Sequence, residues 1–210
     1  TYFNVGKLIF EAGKRYGEGI IKEYSKRLTN EFETKFGITL LKRIRQFYIV
    51  IEKGATMSHQ LSWSHYCELL PVNSIDKINY YIKITKEQNL SIRELRAKIK
   101  NNEYERLDES TKEKLKEKEK LKLPDLVKNP IQIKNTSGNN EISEKVLQKL
   151  ILEDIPSFLD ELGNGFTFVR NEYKIKIGDR YNYIDLLLFN YEFNCFVVVV
   201  LKVSEIKKEH

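Results

Sequence analysis

The chain has 210 residues, 41% of them hydrophobic and 31% charged, enough for one large domain or two small ones, each with a core of its own. No apolar run approaches the roughly 20 residues of a membrane helix, no basic-then-apolar leader follows Thr1, and Cys67 and Cys195 suit neither a disulfide framework nor a zinc spacing, so a cytoplasmic, membrane-free setting is expected. The net charge of +6 is uneven: residues 1–107 hold 19 Lys/Arg against 12 Asp/Glu, whereas residues 124–210 hold 11 against 13. A basic half of this kind suits a polyanion, because neutralised phosphates release counterions, although solubility alone explains it equally well.

The spacing predicts helices through the first hundred residues. Between Lys14 and Phe36, Tyr16, Ile20, Ile21, Tyr24, Leu28 and Phe32 recur at steps of three and four, one face of an amphipathic helix that Gly37 stops. A second helix carries Leu40, Leu41, Ile44, Phe47 and Tyr48 inward and Lys42, Arg43 and Arg45 outward. Ser62 or Ser64 caps a third, with Tyr66, Leu69 and Leu70 pointing inward, and Pro71 to Ser74 ends it. Residues Ile75 to Glu87 make a fourth. Ser91 and Glu94 form a capping box on a fifth, whose Arg93, Arg96, Lys98 and Lys100 lie on exposed faces.

From Asp108 to Leu123 a Lys/Glu repeat reads as a solvated helix or a loose charged linker. Pro124, Pro130 and Asn135 to Asn140 extend it, which places a boundary near residue 125. The expected organisation is a basic helical domain over 1–107, a charged connection over 108–140 and a third part over 141–210.

The last seventy residues change character. Ile142 to Leu162 is helical, with Pro156 bending it and Gly163-Asn164-Gly165 ending it. Three β-rich stretches follow, 166–177, 181–190 and 195–203, joined by tight turns at Gly178-Asp179-Arg180 and Tyr191 to Asn194, which predicts an antiparallel meander. Phe196 to Leu201 is apolar at every position and is expected in the middle of a sheet covered on both faces.

Asp185 lies among aliphatics in Tyr183-Ile184-Asp185-Leu186-Leu187-Leu188, where a carboxylate is costly unless it holds a cation or a hydrogen bond. Lys202 closes the next strand. An Asp and a Lys at one end of adjacent strands suit phosphodiester hydrolysis: carboxylates hold a divalent ion, the ion polarises the phosphate and activates water, and the lysine steadies the attacking oxygen. A second carboxylate belongs two residues before the lysine, where this chain has Val200.

These segments, with Leu162 to Val169 and Val197 to Lys202, resemble the predicted PD-(D/E)xK, restriction-endonuclease-like nuclease family typified by YhcG. Tyr16-Gly17-Glu18-Gly19, Arg43 to Tyr48, Leu61 to Tyr66 and Ser91 to Leu95 are similar to that family's N-terminal helical domain of unknown function. The resemblance implies an α+β chain: an all-α, winged-helix-like, DNA-binding domain, then a truncated αβββ nuclease core with only eight residues after Lys202. It implies Mg²⁺-dependent DNA cleavage, with Asp185 as metal ligand and Lys202 as the motif lysine. Similar members carry Glu where Val200 stands and an acid where Gln148 aligns. Impaired cleavage is therefore expected, with Glu153 or Glu205 the acids that could substitute. Arg43, Arg45, Arg93 and Arg96 are the candidate DNA contacts. His65, beside Trp63 and Tyr66, reads either as a further contact or as a helix start packed into a core. The rival reading is a non-catalytic module that binds nucleic acid or protein, or pairs with a second copy of itself.

Overall fold

A computed structural model describes residues 2–16, 19–32, 36–135, 138 and 142–203. The chain divides into two units, residues 1–105 and 106–210.

The described part of the first unit is helical: α1 (Tyr2–Tyr16), α2 (Gly19–Phe32), α3 (Ile38–Glu52), α4 (Trp63–Leu69), α5 (Ile75–Glu87) and α6 (Ile92–Lys100). The single helix expected over 14–36 is a misreading of two, with Gly17 and Glu18 between them outside the described residues. Sequence reading also missed α1, whose Ile9 joins Ile21, Leu41 and Ile44 in a buried cluster. Gly6 lets α1 lie against α3. A Cβ there would stand 2.5 Å from the Ile44 carbonyl oxygen and 2.8 Å from Tyr48 Cβ, too close for any side chain. Trp63 stacks on Tyr2 at 4.3 Å and meets the edge of Phe47 at 5.6 Å.

Both expected caps form. Ser62 caps α4, with His65 filling the place usually held by Glu, and Ser91 and Glu94 form the box on α6. Lys98 departs from expectation: it is only 7% exposed, not on an open face. Its Nζ lies 3.1 Å from Glu103 Oε2, and Tyr80 donates its hydroxyl to the other Glu103 oxygen at 2.8 Å. A carboxylate just past the helix end gives the ammonium a buried partner, so it turns inward. Among the described residues of this unit there is no strand, hence nothing that corresponds to a wing.

The second unit contains α7 (Glu109–Glu117), α8 (Leu123–Leu126), α9 (Glu144–Glu153), α10 (Ile155–Leu162), β1 (Phe166–Ile177), β2 (Arg180–Asn190) and β3 (Cys195–Val199). The helix expected over 142–162 breaks in two at Asp154. Pro156 cannot donate to the preceding turn, and the Asp154 carboxylate accepts the Ser157 N–H at 3.2 Å to start α10 afresh. Leu123, Leu126 and Val127 pack on a core of Ile151, Phe158, Leu162, Phe166, Leu186 and Leu188. The chain leaves α10 through Gly163 at φ +112°, where a Cβ would stand 2.9 Å from the Leu126 carbonyl oxygen. Arg106 and Glu161 form a buried bidentate ion pair, and Glu161 also accepts the Gln132 N–H at 3.0 Å.

The sheet is an antiparallel meander in the order β1-β2-β3, which makes the fold α+β. Along β2, Ile184, Leu186, Leu188 and Asn190 are buried, and the residues between them face the other way. The expectation for the valine-rich strand fails. Among the described residues β3 is an edge strand, and Phe196, Val198 and Val200 are 66%, 53% and 59% exposed. Its inward residues, Val197 and Val199, meet the core, whereas no described element covers its outward row. No helix among the described residues is long and apolar enough to cross a membrane.

Candidate active site

Asp185 follows core-facing Ile184 and precedes core-facing Leu186, so alternation sends its side chain to the opposite face, where it is half-buried. The last recorded pair of β2 with β3 is Leu186 with Val199. Continuing that register by one residue sets Asp185 across from Val200. Ladder pairing stops there because the Asp185 carboxylate takes over: its Oδ2 accepts the Leu201 N–H at 2.7 Å. From beneath, Gln148 of α9 donates its side-chain amide to the Asp185 carbonyl at 3.2 Å. One turn earlier on α9, Glu144 Oε1 accepts the Val203 N–H at 3.4 Å.

Lys202 is thus held by its neighbours, Leu201 on the Asp185 carboxylate and Val203 on Glu144, while Lys202 itself is exposed. The structure brings Asp185, Gln148 and the Lys202 segment to one end of the sheet. Glu144 was missed in the sequence, and its place four residues before Gln148 on one helix face is the signal that could have found it. Glu153, at the far end of α9, pairs with Lys149 at 3.8 Å, and Glu205 lies outside the described residues. Glu172 is the acid of β1 that stands level with Asp185, between the pairs Asn171 with Leu186 and Tyr173 with Ile184, on backbone at φ 48°.

The donors do not fit a resident divalent ion. A Mg²⁺ ion takes six oxygens, one or two of them from free carboxylates and the rest from waters and substrate phosphates. Here Asp185 already spends one oxygen on Leu201, Val200 offers only methyl groups, and Gln148 turns its amide N–H₂ to a carbonyl. Among the described residues, no group of three or more His, Cys, Asp or Glu could hold a metal.

The basic candidates of the first unit sit in mixed surroundings. Arg96 grips Glu68 with two hydrogen bonds, 2.9 Å from Nε and 2.7 Å from Nη2, and this contact holds the Glu68 carboxyl below the usual carboxylate range. Arg43 lies beside the same site: burial pushes the Cys67 thiol up, and the nearby Arg43 charge pulls it partly back. Arg45 is half-buried and Arg93 exposed. Both nitrogens of His65 are engaged. Nδ1 accepts the Ser62 N–H at 3.1 Å and Nε2 faces the Leu90 carbonyl at 3.1 Å, which puts the ring proton on Nε2 and ties α4 to the loop before α6.

Comparison with known proteins agrees with this division of the chain. Residues 1–106 match the DUF1016 N-terminal domain and residues 124–210 the YhcG PDDEXK nuclease domain. The protein named "Putative nuclease YhcG" from Escherichia coli (strain K12) is 26% identical over 249 aligned residues, covering 98% of this chain. The chain spans 66% of that relative's length, just under two thirds. No solved structure matches the chain.

Proposed function

The chain belongs to the family that joins a DUF1016 N-terminal domain to a YhcG PDDEXK nuclease domain, and from that premise we propose a DNA-binding nuclease homologue whose own cleavage centre is impaired. Asp185 takes the position of the metal ligand and Lys202 that of the motif lysine, and Val200 replaces the second carboxylate. In this reading the helical first unit contributes to DNA binding through its exposed arginines, Arg43, Arg93 and Arg96. A divalent ion, Mg²⁺ in the family expectation, would polarise the scissile phosphate and activate a water. With one Asp185 oxygen engaged by Leu201 and no acid at position 200, this reading routes no cleavage step through such an ion.

One observation carries the reading: the only acid that β2 brings to this end of the sheet is hydrogen-bonded to Leu201, and the residue just past the last β2–β3 pair is Val200 rather than an acid. Plasmid nicking with Mg²⁺ or Mn²⁺ tests it. The expected result is little or no cutting by the wild-type chain. Robust cutting that Asp185→Ala abolishes would refute it.

A further inference from the structure

Pairing of β2 with β3 ends at Leu186, but the β1–β2 hairpin runs on as a two-stranded arm to the Gly178-Asp179 turn. Cross-strand pairs Lys174 with Tyr183 and Lys176 with Tyr181 put two lysines and two tyrosines on one face of this arm. The Lys174 Nζ lies 4.0 Å from the centre of the Tyr181 ring and 6.0 Å from that of Tyr183, which agrees with that shared face. Tyr181 and Tyr183 are 58% and 65% exposed, although nothing in the sheet's core requires an aromatic ring there. Counting by twos along β2, Tyr181, Tyr183 and Asp185 fall on one side, opposite core-facing Ile184 and Leu186.

The geometry points to this face of the arm as a track for a single strand of nucleic acid that leads to Asp185. The inference rests on the nucleic-acid reading above and adds where the strand lies. Exposed tyrosines are stacking platforms that accept any base, and lysines beside them take the phosphates. A phosphate that draws the Lys174 ammonium off Tyr181 opens that ring to a base. Tyr181, Tyr183 and Asp185 follow one another at steps of about 6.6 Å, two residues at about 3.3 Å each, so a chain laid along β2 arrives at the carboxylate. A duplex keeps its bases stacked on one another and leaves the rings nothing to hold, which favours the single strand.

Fluorescence anisotropy of a labelled oligothymidylate, and of a duplex of equal length, on the full chain at low salt tests this. The variants are Y181A/Y183A and K174Q/K176Q, with Lys86→Gln at an exposed lysine of α5 as a control and thermal melts to confirm folding. The wild type should prefer the single strand. Y181A/Y183A should weaken that binding at least about fivefold, and K174Q/K176Q should flatten the salt dependence by about 1.4 in log–log slope. If the wild type binds and both arm variants bind as tightly, the track is refuted while the nucleic-acid reading stands. A duplex preference indifferent to the tyrosines refutes it likewise. Failure of the wild type to bind either probe ends both.

Discussion

The helical unit and the β1–β2 arm of the second unit manage their cations differently. In the helical unit Arg96 is clasped by Glu68 and Lys98 is buried on Glu103, so a region with a clear surplus of positive charge in sequence spends part of it internally. In the second unit 18 Lys/Arg balance 18 Asp/Glu, yet Lys174 on the hairpin arm lies over the Tyr181 ring and exposed Lys176 lies across from the same tyrosine. Net charge counted along a sequence therefore does not locate accessible charge. What matters is whether a cation's nearest neighbour is a carboxylate or an aromatic ring, and that is decided by helix ends and strand register.

Ion pairs sharpen the contrast, beginning with the buried bidentate pair of Arg106 and Glu161. Arg106→Met would leave the Glu161 carboxylate buried without its guanidinium and should destabilise the chain by about 3–5 kcal/mol in urea unfolding. Burial pushes the Glu161 carboxyl up, but Arg106, the Gln132 N–H and Lys128 outweigh it and hold the group below the usual carboxylate range. A depressed folded value means the stabilisation is complete above the ordinary carboxylate pKa and disappears as pH falls through the lower folded one. Unfolding midpoints of the wild type should thus fall below about pH 4 more steeply than those of Arg106→Met.

Next comes the sheet, whose two faces differ as well. Leu186→Ala, at a fully buried core position, should cost about 2–5 kcal/mol, whereas Val198→Ala on the open face should cost well under that. Equal losses would mean that the outward face is covered in solution. The smallest effect expected is that of Arg96→Gln. Its pair with Glu68 is bidentate but its side chain is 65% exposed, so the change in urea midpoint should be slight and should shrink further in salt.

Much of the architecture was legible because local rules decide it. The α5 boundaries, the Ser91 box and the β1 span follow from capping residues, alternation and turn glycines, and the structure has them where the pattern puts them. Alternation could not say what lies beyond a strand's second face, so the all-apolar run of β3 was read as central when, among the described residues, it is an edge. Likewise the fate of Lys98 depends on Glu103, which lies outside its helix. At the candidate site, a carboxylate among aliphatics and a lysine closing the next strand were visible as residue types. The Leu201 bond to Asp185 and the Glu144 bond to Val203 were not, because they depend on the path the chain takes after β3 leaves the ladder. The Lys-x-Lys facing Tyr-x-Tyr across a Gly-Asp turn was written in the sequence and needed only the register to be noticed.

The central claim is that Asp185, with Val200 in place of an acid, does not hold a divalent ion. Calorimetric titration of Mn²⁺ into the wild type, Val200→Glu and Val200→Glu/Asp185→Ala tests it directly. The account expects no saturable binding by the wild type, binding gained in Val200→Glu, and binding lost again in the double variant. Saturable binding by the wild type that Asp185→Ala removes would contradict it.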